Sequence, residues 1–198
     1  MLETLKRWLH FTSLYFGRPR WDTGVSPPEL VDFLESNPAG RALDVGCGTG
    51  TNLVTMAGYG WDVTGVDMIP IAVIKARSKL KMKGQTGMVI WGDVSQPLKL
   101  REKFDLILDM GCYHSLSLQD RESYRGNIQR WLQPEGTYLI YAHLPKDLAS
   151  THGFRDADLC AFSTFLLLDW RQQNPETRSD GSLGRPSVWM KFHRAKDD

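Results

Sequence analysis

The chemistry in this 198-residue chain concentrates in Leu43-Asp-Val-Gly46-Cys-Gly48-Thr-Gly50, where an apolar run delivers a carboxylate and three alternating glycines. Glycines at such a point let the backbone turn sharply and approach a ligand closely. Asp67 lies 17 residues beyond Gly50 and closes the next apolar run, a position from which a carboxylate accepts hydrogen bonds from ribose hydroxyls. Together these residues predict a nucleotide-type ligand at the carboxyl ends of parallel strands. The dinucleotide fingerprint G-x-G-x-x-G fits poorly, because Thr51, Asn52 and Leu53 follow Gly50. Asp44 would repel a pyrophosphate and suits a ligand that is cationic at that point.

A second group follows the fourth apolar run, in Asp109-Met-Gly-Cys-Tyr-His114-Ser. His114 is the best general-base candidate, since an imidazole titrates near neutrality; His143, just past the fifth run, is a weaker one. Tyr15-Phe-Gly-Arg-Pro-Arg-Trp21-Asp-Thr-Gly24 is rich in aromatic and basic residues. We read Tyr15 and Trp21 as walls of an acceptor pocket and Arg18 or Arg20 as the partner of an anionic group on it. Lys75, Lys79 and Lys83, with Arg77 and Lys81, read as the solvated face of a helix. The three cysteines, Cys47, Cys112 and Cys160, form no C-x-x-C pair, so reduced packing thiols are expected and no metal site.

The elements that must position these groups alternate. Residues 2–16 read as an amphipathic helix. Ser26-Pro-Pro-Glu29 has the form of a capping box that opens a second helix, which Asn37-Pro38 stops. Ala42–Val45 is a strand, followed by the glycine loop and a helix to about Tyr59. Asp62–Val66 is a second strand, and a helix from Pro70 to about Lys83 turns Ile71, Ile74 and Leu80 inward. Met88–Trp91 and Phe104–Leu108 are further strands; a helix over Gln119–Leu132, a turn at Pro134-Glu-Gly136 and a strand Thr137–Ala142 follow. This alternation implies a doubly wound parallel sheet. A short helix at Asp156–Phe162 then precedes strands Phe165–Trp170 and Val188–Phe192, which lack a helix between them and so pair antiparallel.

S-adenosylmethionine, carrying a sulfonium and an ammonium, meets the requirement that Asp44 sets. Leu43–Gly50 resembles the first motif of the class I S-adenosylmethionine-dependent methyltransferases, and Val63–Asp67 their second-strand acid. Gly92-Asp93-Val94 is similar to their third-strand motif and Phe104-Asp-Leu-Ile-Leu108 to their fourth strand. Leu132-Gln-Pro-Glu-Gly136 is similar to their L-x-P-G-G turn, with Glu135 in place of a glycine. The resemblance covers roughly residues 22–194 and implies an α/β, Rossmann-like, seven-stranded sheet of order 3-2-1-4-5-7-6 with an antiparallel last strand. It also implies that Asp44, Gly46 and Gly48 surround the methionine end of the cofactor, with Cys47 and Gly50 of the same loop beside them. Asp67 would hold the ribose, Met68 would pack on the adenine, and Asp93 would read its amino group beside Val94. Asp109 and Met110 would lie near the transferring methyl, with Asp109 and His114 the catalytic candidates and Tyr113 and His143 beside the acceptor. The segment before the first strand would fold over the cofactor and substrate. The size and short N-terminal cap look similar to the thiopurine and tellurite-resistance methyltransferases.

The sequence thus predicts one methyltransferase domain, with residues 1–37 as a helical cap and 38–198 as the core, acting on a small-molecule acceptor. A formal net charge of +1 argues against a dedicated nucleic-acid partner. No apolar stretch is long enough to span a bilayer, and Met1–Phe16 lacks the form of a signal peptide, so a cytoplasmic monomer or homodimer is expected. Two other readings stand beside this one: a cofactor-binding protein without catalysis, and a dinucleotide-dependent oxidoreductase.

Overall fold

The computed structural model describes residues 2–17, 19, 21–100, 102–147, 150, 152–174 and 184–196; Arg18 and Arg20, read above as anion partners, lie outside them. Helices α1 (Leu2–Tyr15) and α2 (Pro28–Ser36) precede β1 (Arg41–Val45), α3 (Thr51–Gly58), β2 (Asp62–Asp67), α4 (Pro70–Met82) and β3 (Met88–Trp91). Then come β4 (Phe104–Met110), a 3₁₀ turn (Tyr113–Ser115), α5 (Leu118–Trp131), β5 (Leu132–His143), α6 (Asp156–Phe162), β6 (Leu167–Asn174) and β7 (Ser187–His193). The strands form one seven-stranded sheet, ordered β3-β2-β1-β4-β5-β7-β6, the order the resemblance implied. Strands β1, β2 and β3 pair in parallel, as do β4 and β5, whereas β7 runs antiparallel to both β5 and β6. The chain forms two compact units that divide after Val94.

In the first unit Ala42, Leu43 and Val45 of β1 and Val63 and Val66 of β2 are fully buried, with Leu53 and Met56 of α3 and Ala72 and Ala76 of α4. The packing is tight where glycines stand. A Cβ on Gly65 would lie 2.6 Å from Leu53 Cδ1, and one on Gly50 would lie 2.9 Å from Ala76 Cβ. That approach selects the small side of α4. Ala72, Val73, Ala76 and Leu80 face inward, and Ile74, expected there, is 63% exposed. The expected capping box does not form either. Pro27 holds the N-cap position of α2 without a side-chain bond, and Ser26 Oγ lies 2.8 Å from both Asn52 Oδ1 and Thr55 Oγ1 of α3.

In the second unit α5 begins at the N-cap Ser117, whose side chain accepts from Asp120 N, and β5 starts at once at Leu132. The expected turn at Pro134-Glu-Gly136 is absorbed into β5 as an irregularity in its pairing with β4. Glu135 takes φ 62° there, the left-handed region in which a glycine is at ease. Strand β6 lies later than expected, reaching Asn174.

Candidate cofactor grip and a histidine pair

The glycine loop is built by backbone bonds. Gly46 N and Cys47 N both donate to Val66 O, at 2.8 and 3.0 Å, so the chain leaving β1 folds over the end of β2. Gly46, Gly48 and Gly50 take φ of 73°, 53° and 81°, a conformation that side chains disfavour. Asp44, at the end of β1, is 1% exposed. Asp67 Oδ2 accepts from Gly48 N at 2.9 Å and its Oδ1 from Ile69 N at 2.8 Å, so this carboxylate braces the loop directly. Burial raises the Asp67 carboxyl to about 6, against the opposing pull of those two bonds. Cys47 packs its thiol on β2: a Cβ on Gly65 would lie 2.8 Å from Cys47 Sγ.

The N-terminal segment lies on this grip. Tyr15 is 4% exposed and clusters with Ile69 and Ala72, joined by Trp8, Phe11, Met68 and Ile71. Its hydroxyl stands over the loop, 2.9 Å from where a Cβ on Gly48 would be. Burial, with the Asp67 charge nearby, raises the Tyr15 phenol well above its usual range. Trp21 meets Tyr15 and Phe11 edge-on and is half exposed. Arg7 donates to Asp93 Oδ2 at 2.8 Å, an ion pair with both side chains mostly buried. Val94, next to it, is buried. Thr49 Oγ1 lies 3.0 Å from both oxygens of Asp22, and Lys79 donates to the hydroxyls of Thr49 and Thr51 at 2.8 Å. Lys75 donates to Tyr15 O, and Arg77 to Val89 O. The solvated row expected on α4 is corrected at two positions: Lys75 and Lys79 are half-buried and donate to Tyr15 O and to the Thr49 and Thr51 hydroxyls, while Arg77, Lys81 and Lys83 are exposed. Arg7, Asp22 and Lys79 carried no sequence signal, because each partner is remote along the chain.

In the second unit Asp109 is fully buried within β4. It accepts from Tyr124 Oη at 2.5 Å, Cys112 N at 2.7 Å and Tyr113 N at 3.0 Å, with Tyr138 Oη at 3.4 Å. Burial raises its carboxyl to about 6 despite these donors. Asp109 thus faces into the unit and holds the turn that follows β4. Tyr113, expected beside the acceptor, is likewise fully buried, among Tyr124, Phe154 and Phe162. Its hydroxyl donates to Asp158 Oδ1 at 2.7 Å and accepts from Arg125 at 2.8 Å, and Arg121 completes the cluster on Asp158 Oδ2 at 2.7 Å. His114 and His143 do come together, with ring centroids 4.8 Å apart. Both are half-buried, and His143 N donates to His114 Nδ1 at 3.2 Å. Burial, then the charges of His143, Arg185, Arg121 and His152, lowers the His114 imidazole to about 3.

Residues 42–136 match a family model described as a methyltransferase domain. The chain is 28% identical over 148 residues to the 2-heptyl-1-hydroxyquinolin-4(1H)-one methyltransferase of Mycobacteroides abscessus, a match covering 72% of this chain and 65% of that protein. It is 32% identical over 136 residues to the probable thiol methyltransferase 2 of Arabidopsis thaliana, covering 66% of this chain and 59% of that one. The chain therefore spans less than two thirds of either relative. In fold it is similar to the N-methyltransferase NodS of Bradyrhizobium japonicum in complex with S-adenosyl-L-homocysteine, with TM-score 0.79 and 17% identity over 95% of this chain and 98% of that one. Residues 42–136 are thus similar to a methyltransferase domain, and the strand order and braced glycine loop agree with that likeness.

Proposed function

We propose that this protein transfers a methyl group from S-adenosylmethionine to a small-molecule acceptor at oxygen, sulfur or nitrogen, by in-line displacement. The observation that carries the reading is the glycine loop with Asp67 bonded to Gly48 N and Asp44 buried beside it. The residues fit the cofactor chemically. Asp44 favours the cationic methionine end, and Gly48, half-buried beneath the Tyr15 hydroxyl, presents main chain with no side chain of its own. When bound, the cofactor supplies a methyl already activated by positive sulfur. The chain's task is then to orient the acceptor and exclude water.

In this reading Gly46, Gly48 and Gly50 line the methionine end, Cys47 through its main chain. Asp67 takes the ribose hydroxyls with lone pairs left over from its two backbone bonds. Met68 and Val94 flank the adenine, which Asp93 reads while Arg7 fixes its carboxylate. Tyr15 and Trp21 cover the grip. Asp109 and Tyr113 act by positioning the turn that carries His114, and His143 stands with it on the acceptor side. The quinolone and thiol acceptors named for its relatives support the small-molecule class. Among the described residues no helix is long and apolar enough to cross a membrane. We read the protein as one domain with residues 1–37 as its cap, working in the cytosol as a monomer or homodimer.

Calorimetry with S-adenosylmethionine and with nicotinamide dinucleotides tests the cofactor; release of S-adenosylhomocysteine across thiols, phenols, N-hydroxy heterocycles and amines tests the reaction. Tight binding with no turnover on the whole panel would favour a non-catalytic binding protein.

A further inference from the structure

Thr49 is the one residue between two glycines that hold left-handed turns, Gly48 at φ 53° and Gly50 at φ 81°. Main chain with a permissive joint on each side is held in place by whatever grips the side chain between them. Thr49 is 7% exposed, and its hydroxyl meets Lys79 Nζ at 2.8 Å and both carboxylate oxygens of Asp22 at 3.0 Å. Chemistry fixes the direction of these bonds. An ammonium only donates and a carboxylate only accepts, so Thr49 accepts from Lys79 and gives its one proton to Asp22. Lys79 Nζ lies 3.9 Å from Asp22 Oδ1, so the hydroxyl bridges an ion pair whose members come from α4 and from the segment after α1.

Further ties belong to the same arrangement, and all of them lie within the first unit. Lys79 also donates to Thr51 Oγ1 at 2.8 Å, so one ammonium spans Gly50 from Thr49 to the first residue of α3. The helix that carries Lys79 backs the same point, since a Cβ on Gly50 would fall 2.9 Å from Ala76 Cβ. Ser26 Oγ, bonded to Asn52 and Thr55, fastens the segment that carries Asp22 to α3 as well. Short turns order the chain before Ser26: Asp22 N donates to Pro19 O at 3.0 Å, Thr23 N to Trp21 O at 2.9 Å, and Thr23 Oγ1 to Val25 O at 3.0 Å. Asp67 braces the glycine loop at Gly48 N, and the Thr49 hydroxyl is a second brace one residue on.

We propose that Asp22 and Thr49 are positioning residues for the cofactor. The Asp22 carboxylate, acting through the Thr49 hydroxyl, sets the main chain of residues 48–50, against which the methionine end of S-adenosylmethionine rests. The coupling is reciprocal: a ligand that stabilises the set loop also stabilises its bond to Asp22. Cofactor binding therefore firms residues 21–25, and that segment strengthens the grip in return. This rests on the methyltransferase reading above and adds to it the residues that hold the loop in its binding form.

Hydrogen exchange and calorimetry on the full chain test it. Thr49→Val keeps the shape of the side chain without its hydroxyl, Thr49→Ser keeps the hydroxyl, and Asp22→Ala removes the acceptor. In protein without cofactor, Thr49→Val and Asp22→Ala are each expected to quicken exchange at Gly48 and Gly50 about tenfold while β1 and β2 keep their protection. Each is also expected to raise Kd for S-adenosylhomocysteine about 10- to 100-fold, with Thr49→Ser within about threefold of the unmodified protein. The double variant loses less than the product of the two single losses, because both remove one interaction. Saturation with S-adenosylhomocysteine slows exchange at Asp22 and Thr23 in the unmodified protein and no longer does so in Thr49→Val. Unchanged exchange in both single variants overturns the brace. A lower Tm with unchanged Kd, or single losses that simply multiply, overturns the positioning role. Failure of the unmodified protein to bind S-adenosylmethionine or S-adenosylhomocysteine strikes the methyltransferase reading instead, and exchange without cofactor still decides whether the brace exists.

Discussion

Replacing Gly48 by Ala separates a glycine needed for a turn from a glycine needed for a ligand. Gly48 has φ 53°, and a left-handed backbone costs an L residue roughly 1–2 kcal/mol. Reduced freedom of the unfolded chain returns about 0.4–1 kcal/mol. The net loss from backbone alone is then about 1 kcal/mol, a fall of roughly 2–4 °C in Tm for a chain of this size. The new methyl also falls 2.9 Å from the Tyr15 hydroxyl, inside contact distance, so that ring must give way. Gly84→Ala is the matched control: φ is 65° and nothing lies within 4 Å of its Cβ position. It carries the same backbone strain with no contact made.

For the cofactor the two variants diverge. A methyl in the Gly48 cradle overpacks a surface that a ligand must approach closely, a penalty of about 1–3 kcal/mol or roughly 10- to 100-fold in Kd. Gly84→Ala leaves Kd unchanged. Adding Tyr15→Phe to Gly48→Ala removes the hydroxyl contact and recovers part of the Tm, but not the affinity. Thermal unfolding and calorimetry with S-adenosylmethionine read both quantities. Wild-type affinity in Gly48→Ala, alongside equal Tm losses in the two single variants, would mean that Gly48 serves the turn alone.

Three other outcomes are expected. Glu135→Gly relieves φ 62° at an exposed site while keeping the N–H that bonds Arg194 O, so urea unfolding should show a gain of about 0.5–1 kcal/mol, the left-handed cost less the entropy of an added glycine. Asp67 is raised to about 6 and ribose hydroxyls favour its ionised form, so affinity for S-adenosylmethionine is full above that pH and falls below it; calorimetry near pH 6 in buffers of different ionisation heat should detect proton release on binding, and Asp67→Asn should abolish it. Arg7→Gln breaks the mostly buried pair with Asp93, and hydrogen exchange should then quicken about tenfold in α1 while β4 and β5 keep their protection.

Much of the sheet was legible because its signal is local. Phe104–Leu108 is a run whose only polar residue is Asp105, and Ala42–Val45 passes directly into glycines, so strand identity and order followed from short windows and from the resemblance. Strand ends and helix faces were not, because neighbours decide them. Ile74 is exposed since Gly50 brings the loop against Ala76, and no window around Ile74 contains that fact. Ser26 had the right neighbours for a cap and was drawn instead to Asn52 and Thr55, residues more than twenty positions away.

The same division runs through the candidate site. The residues of the cofactor grip are recognisable because a glycine in a left-handed turn and a carboxylate at a strand end have few alternatives. Asp109, Tyr113 and His114 occupy one short segment, which the sequence places near the chemistry, with Asp109 and His114 as catalytic candidates and Tyr113 beside the acceptor. Their environments part them: the carboxylate of Asp109 is consumed by two tyrosines and two main-chain donors, and the Tyr113 hydroxyl by Asp158 and Arg125. Of the three, His114 has one side-chain bond among the described residues, from His143 N to Nδ1. A histidine in a loop after the fourth strand reads from sequence as a base because its free imidazole titrates near 7. The N–H of His143 engages the Nδ1 lone pair, a bond to a main-chain donor 29 positions away that no local window contains.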